Sequence, residues 1–275
     1  MDKFPAIINS KIKPAVGRLI ITKNFFNKDG TFDQTKTSYS FGTGFKYKDF
    51  IISCAHLLTL QGDFEQDRDL FEKTKRKRPK PRLLKQFLIE NIKEVKIQMS
   101  DGNFYLLELI DADLKYDCSF FKFKTGKSKV IFSLELDDKI ELTEGIEVAF
   151  AGFPTEVPQY KQMDTPFAVN EGIIASFPDL KVGGLEKHTF VQVNAVNLGG
   201  NSGAPLFLKN SGKVIGITTG NQNKRFNIVE VDESGKVLNI IEKQKADVTV
   251  FGVAYAVPIK YILNLIRVKN STKEK

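Results

Sequence analysis

The sequence has no tryptophan, only two cysteines and only two histidines. Without Trp, ring packing in any core falls mainly to the 23 phenylalanines. Cys54 and Cys118 are too few for a disulfide framework. A chain of 275 residues needs no such staple, because it can bury a substantial core of its own. No run of about 18 apolar residues occurs, so no membrane-spanning helix is expected. The N-terminal stretch lacks a continuous apolar segment followed by a small-residue cleavage site, so no secretory leader is expected either. A reducing cytoplasm is the expected compartment. Nothing in the sequence suggests a metal site or a cofactor.

Charge looks more telling than it is. The net charge is +8, but Lys73, Lys75, Arg76, Lys77, Arg78, Lys80 and Arg82 crowd into one ten-residue stretch without an acid. Without these seven residues the net charge is +1. Basicity is therefore local, and a nucleic-acid-binding groove, which would spread positive residues over a surface, is not expected. The run from Lys73 to Arg82 suits an acidic partner, anionic headgroups or nucleic acid, and equally a solvated loop.

Short runs rich in Val, Ile, Phe and Tyr recur between Gly, Pro, Asn and Asp: 17–22, 39–47, 50–54, 95–99, 104–110 and 118–123, then 147–152, 168–176, 189–194, 204–208, 214–218 and 249–257. Twelve such strands predict an all-β fold. They divide around the charged segment 124–144 into two sets of six, each able to close into a small antiparallel barrel. The expected domains are 1–130 and 131–275, with an insert at about 61–93. Within the insert, Pro79 and Pro81 split the helical pattern into two short helices. The pattern at 258–268 predicts a closing helix with Pro258 in its first turn and Ile259, Ile262, Leu263 and Ile266 on one face.

The segment Asn197-Leu-Gly-Gly-Asn-Ser-Gly-Ala-Pro-Leu-Phe207 sets one hydroxyl, Ser202, among three glycines ahead of an apolar strand. Such a loop can aim the amides of Gly200 and Ser202 at one point, where a carbonyl oxygen would gain charge. On its own it also reads as a Gly-rich turn. A Ser nucleophile needs a base. His56 ends the apolar run Phe50-Ile-Ile-Ser-Cys-Ala-His56, whereas His188 sits in a polar, Gly-containing stretch, so His56 is the better base. The base in turn needs a carboxylate to hold its tautomer. Asp117 opens the strand Cys118-Ser-Phe-Phe-Lys-Phe123, with Asp111 and Asp113 as rivals that residue chemistry alone does not eliminate.

Taken in order, these segments resemble the trypsin-like peptidase superfamily, and within it the high-temperature-requirement (Deg) branch. Ser40-Phe-Gly-Thr-Gly-Phe45 and Ile51-Ile-Ser-Cys-Ala-His-Leu-Leu58 are similar to that family's first-barrel hairpin and its His-bearing turn. The stretch from Asp117 resembles the one that opens with the catalytic Asp. Gly145-Ile-Glu-Val-Ala-Phe-Ala-Gly-Phe-Pro154, Asn170-Glu-Gly-Ile-Ile-Ala-Ser176, Val191-Gln-Val-Asn-Ala195, Gly199-Gly-Asn-Ser-Gly203, Val214-Ile-Gly-Ile217 and Phe251-Gly-Val-Ala-Tyr-Ala-Val-Pro258 resemble the second barrel.

The resemblance implies a chymotrypsin-like fold and a serine endopeptidase acting on protein or peptide substrates. It implies Ser202 as nucleophile, His56 as base, and Asp117, rather than Asp113, as orienting acid. Gly200 and Ser202, with Asn201 as a third donor, would form the oxyanion hole. Thr218, Thr219 and Gly220 would pair with substrate backbone, and Val196 would floor the primary pocket. The departures are informative. Asn201 stands where an Asp would pair with a liberated N-terminus, no Ile-Val-Gly-Gly start is present, and Ala204 replaces the commoner glycine. No PDZ module is expected after the second barrel. A catalytically silent binding module built on the same barrels and using the basic insert is the alternative.

Overall fold

Runs of β-branched and aromatic residues bounded by turn formers take up extended structure along most of the chain. The computed structural model describes residues 3–27, 29–60, 64–75, 84–124, 132–155, 165–180, 187–219, 223–225, 228–231, 237–242, 247–249 and 252–273. A closed antiparallel barrel is formed by β1 (Val16–Phe26), β2 (Phe32–Tyr47), β3 (Phe50–Ser53), β4 (Ile92–Gln98), β5 (Phe104–Asp113) and β6 (Cys118–Phe123), in the spatial order β1-β2-β3-β6-β5-β4.

Of the later strands, β7 (Glu147–Gly152) and β8 (Ala168–Ser176) belong to a second barrel, whereas β9 (Asp179–Leu180) and β10 (His188–Thr189) pair only with each other. The second barrel is completed by β11 (Val191–Val193), β12 (Pro205–Leu208), β13 (Val214–Thr219) and β18 (Ala254–Pro258), in the order β11-β18-β13-β12-β7-β8. Between β13 and β18, β14 (Asn223–Arg225) pairs with β17 (Asp247–Thr249), and β15 (Ile228–Val231) pairs with β16 (Val237–Glu242). The chymotrypsin-like, all-β architecture with two six-stranded barrels is as the sequence predicts.

Phenylalanine takes over the role that Trp is absent to play. The largest fully buried side chains include Phe45, Phe121, Phe150, Phe190 and Phe207. Phe45 and Phe121 pack in the first barrel with Leu19, Ile21, Ile51, Ile52 and Ile97. Phe150 packs in the second with Val148, Ile174, Val191, Leu206 and Ile215. The insert carries two helices, α2 (Phe64–Lys75) and α3 (Leu84–Glu90), as the proline pair predicts. Phe87 joins them to the first barrel, with its ring 5.6 Å from Phe71 and 5.9 Å from Phe26. The insert ends at Glu90, earlier than expected, because Ile92 already pairs with Lys23 in the sheet.

Three further boundaries differ from the sequence reading. Pro258 pairs with Gly216 as the last residue of β18, so α4 (Ile259–Lys273) starts one residue later than expected. Its apolar face of Ile259, Ile262, Leu263 and Ile266 is buried as the spacing predicts. The single strand expected at 249–257 is two: Thr249 ends β17 and β18 begins at Ala254, with Gly252 ahead of it at a φ of 101° that extended structure does not use. The N-terminal stretch, to which the sequence reading assigns no element, is helical: α1 (Phe4–Ile7) continues as a π-turn at Ile8–Ile12 and a 3-10 turn at Lys13–Ala15. It lies on the second barrel, with Phe4 stacked on Phe207 at 6.5 Å and the Lys11 ammonium donating to the Ser211 carbonyl at 3.3 Å.

Candidate active site

The apolar run 50–53 forms β3, in register with β6 through Ile51–Phe121, Ile52–Phe120 and Ser53–Ser119. This pairing delivers the end of β3 and the start of β6 to the same rim of the first barrel, bringing His56 and Asp117 together from 61 residues apart. The His56 backbone N–H donates to Asp117 Oδ1 at 2.7 Å, and His56 Nδ1 lies 2.7 Å from Oδ2. Asp117 is fully buried and adopts a φ of 51°, a left-handed conformation that Asp tolerates better than most residues. A carboxylate removed from water requires compensating donors. A third comes from the second barrel, where the Thr219 hydroxyl donates to Asp117 Oδ2 at 2.5 Å.

Ser202 reaches the same seam from the other side. Its carbonyl accepts the Thr43 N–H at 2.8 Å, and the Thr43 hydroxyl donates to the Gly200 carbonyl at 2.8 Å. Gly42 permits this approach: a Cβ there would lie 3.0 Å from the Ser202 carbonyl and would overlap the Leu57 side chain. Gly203 turns the chain away at a φ of 91° and donates its N–H to the Thr218 carbonyl at 2.8 Å. The Ser202 hydroxyl forms no hydrogen bond with His56 among the described residues. Of the three expected oxyanion donors, the Asn201 N–H is committed to the Leu198 carbonyl at 3.2 Å. The amides of Gly200 and Ser202 have no acceptor among the described residues.

Comparison with known proteins supplies the family. A model of the trypsin-like peptidase domain matches residues 42–217. The chain belongs to the trypsin-like peptidase family. No curated protein matches by sequence. Among solved structures, an HtrA-type protease AlgW with a tripeptide aligns at 17% identity and a TM-score of 0.59, covering 96% of this chain and 62% of that one. A variant of the same protease with a decapeptide aligns at 16% identity and a TM-score of 0.60, covering 96% and 65%. This peptidase domain thus spans less than two thirds of the length of those structures.

The other residues singled out from the sequence lie elsewhere around this seam or outside the described residues. Val196 is 40% exposed, flanked by buried Ala195 and Asn197. Thr218 and Thr219 are buried at the end of β13, and the Thr219 carbonyl accepts the Asn197 amide at 2.8 Å. The Thr219 side chain has a contact that the sequence did not disclose, since nothing in a single sequence separates its hydroxyl from that of Thr218. Gly220 lies outside the described residues. So does most of the basic run, of which Lys73 and Lys75 sit at the end of α2.

The rivals to the proposed acid are engaged elsewhere: Asp111 pairs with Lys85, and Asp113 accepts the Tyr116 N–H in a turn at 2.8 Å. His188, read as part of a polar stretch, is buried in an aromatic cluster 4.2 Å from the Phe190 ring and 5.3 Å from Tyr116. Cys54 and Cys118 are free and buried. Burial pushes the Cys54 thiol well above its ordinary range, with the Asp117 charge adding to the effect, so it stays protonated and donates to the Thr218 carbonyl at 3.3 Å. Potential ligand atoms of Cys54, His56 and Asp117 lie within 4.8 Å of one another. An ion bound there would compete with the three hydrogen bonds that the carboxylate already accepts. No helix among the described residues is long and apolar enough to cross a membrane.

Gly203→Ala tests the loop geometry. The positive φ alone costs about 1–3 kcal/mol. The added methyl would also overlap the Thr43 carbonyl and the Ser53 hydroxyl. Denaturant unfolding is expected to show a lower midpoint with an unchanged slope.

Proposed function

We propose that this chain is a serine endopeptidase in which Ser202 is the nucleophile, His56 the general base and Asp117 the orienting acid. The observation that carries the reading is the Asp117 carboxylate held beneath His56 at two points, 2.7 Å from the backbone nitrogen and 2.7 Å from Nδ1. With Nδ1–H directed at the carboxylate, Nε2 carries the lone pair and is free to take a proton from a hydroxyl. In the reaction, substrate binding brings the Ser202 Oγ within reach of Nε2. The Oγ–H proton passes to Nε2 as Oγ attacks the scissile carbonyl, and the same proton then goes to the departing amine. Water repeats the sequence on the acyl-enzyme to release the second product.

The free amides of Gly200 and Ser202 support an oxyanion hole. The loss of one such donor is typically worth about 2.7–4 kcal/mol of transition-state stabilisation. Thr219 and Gly220 would carry the substrate backbone as an added strand, whereas the Thr218 N–H and carbonyl are already bonded to Ala204 and Gly203. The lack of a hydrogen bond between Ser202 and His56 is what favours the alternative, a silent binding module. Serine–base contacts are often long without substrate, and tighten when it binds.

Two experiments follow. A fluorophosphonate probe is expected to label the wild-type chain and not Ser202→Ala, and kcat on a peptide substrate is expected to fall at least about a thousandfold in that variant. A folded wild-type chain that neither reacts with the probe nor cleaves any peptide would establish the silent module instead. Separately, the exposed apolar Val196, with no carboxylate at its position, predicts cleavage after small or medium apolar residues. Profiling on peptide libraries checks this, and strict preference for Lys or Arg would contradict it.

A further inference from the structure

Lys23 lies in β1 and is buried, an unusual place for an ammonium. Its Nζ donates to the Ser40 hydroxyl at 2.6 Å, to the Leu57 carbonyl at 3.3 Å and to the Thr59 carbonyl. The carboxylate whose charge acts on it is Asp67, a fully buried residue of α2 that accepts the Leu60 N–H at 2.8 Å. Two opposite charges, one from the barrel and one from the insert, thus enclose the turn 57–60.

That turn directly follows His56 and is tied back to it. The Thr59 N–H and hydroxyl both donate to the His56 carbonyl, at 3.1 and 2.7 Å. His56 is therefore held at its N–H by Asp117, at its carbonyl by Thr59, and Thr59 in turn by Lys23. Removing an ammonium from water costs several kcal/mol even when it is paired. An apolar residue at position 23 would spare that cost but leave the Leu57 and Thr59 carbonyls without this donor.

We propose that Lys23, bonded to the Leu57 and Thr59 carbonyls while Asp67 of the insert helix holds the Leu60 N–H, is a positioning residue of the peptidase that fixes the 57–60 turn and thereby aims the His56 imidazole at Ser202. The proposal rests on the catalytic reading above for its effect on turnover. It gives the insert a part in the reaction that is independent of the basic run beyond α2.

The buried ammonium makes turnover sensitive to alkaline pH. Burial pushes the Lys23 ammonium down from 10.5 to about 8, and the Asp67 carboxylate opposes that shift. The ammonium is bonded to the Ser40 hydroxyl of β2 and the Leu57 and Thr59 carbonyls of the turn, and the charge acting on it is the Asp67 carboxylate of α2. Its sheet partners, Ser38 and Ile92, carry no charge. Above pH 8 a neutral amine has two N–H groups for three oxygens. The unfolded chain keeps this proton up to about pH 10.5. Over the window from 8 to 10.5 this group therefore adds to folding stability as pH rises, so a fall in kcat there is not its unfolding.

The test uses the full chain as wild type, Lys23→Met and Asp67→Asn, with kcat and KM against pH. A substrate-free readout accompanies it: the proton NMR signal of the His56 Nδ1–H shared with Asp117. Lys23→Met is expected to lower kcat about 10–100-fold with little change in KM, and to shift or broaden the His56 ring proton. Wild-type kcat is expected to fall as pH rises through about 8. Asp67→Asn, which keeps an acceptor for Leu60 but drops the charge that raises Lys23, should move that fall to lower pH. A folded Lys23→Met chain with wild-type kcat and an unmoved ring proton overturns the proposal. An alkaline limb left in place by Asp67→Asn also overturns it, even where Lys23→Met does not fold. If the wild-type chain shows no Ser202-dependent turnover, the catalytic reading fails while the ring proton still decides whether Lys23 positions the imidazole.

Discussion

The arrangement depends on one buried carboxylate. Asp117 has given up all contact with water, and in return accepts hydrogen bonds from the His56 amide, the His56 ring and the Thr219 hydroxyl. Two of these donors come from the first barrel and one from the second. In a low-dielectric seam an unpaired charge is so costly that a fully satisfied one fixes the geometry around it. The carboxylate therefore sets the imidazole's tautomer and orientation, and also ties the two barrels together at the site.

A second set of bonds along the seam sets where the serine loop sits. Thr43, between two glycines in β2, uses its N–H for the Ser202 carbonyl and its hydroxyl for the Gly200 carbonyl, while its own carbonyl accepts the Ser53 hydroxyl. Glycine at 42 and 203 allows backbone to meet backbone at this distance. Lys23 and Asp67 extend the same logic outward, anchoring the turn behind His56 to the insert. His56 and Ser202 are thus held through their own backbone groups, and Asp117 by one backbone and two side-chain donors.

The legible part of this architecture is the part written in local pattern. Alternation and turn residues locate all twelve barrel strands, most within a few residues, because a strand with one buried face must show its period wherever it sits. The Asp117 segment was separable from Asp111 and Asp113 only through family resemblance, since three carboxylates in seven residues look alike until register decides which reaches the rim. The Thr219 contact with Asp117 spans 102 residues and the Lys23 contact with Thr59 crosses between elements, so neither leaves a local trace. A lysine in a strand reads as solvent-facing by default, and His188 in its Gly-containing stretch reads as polar. Both are buried for reasons of tertiary packing alone. The helical N-terminal stretch was missed because its turns are short, contain Pro5 and Pro14, and rest on second-barrel contacts such as Phe4 on Phe207 that leave no local trace.

The most direct measurement is a crystal structure of the chain after reaction with a peptidyl fluorophosphonate. The account predicts phosphorus bonded to Ser202 Oγ, a phosphoryl oxygen within hydrogen-bonding distance of the Gly200 and Ser202 amides, and His56 Nε2 beside Oγ with Nδ1 still on Asp117. An adduct on another residue, or a His56 ring that has left Asp117 to accommodate the ligand, would contradict it.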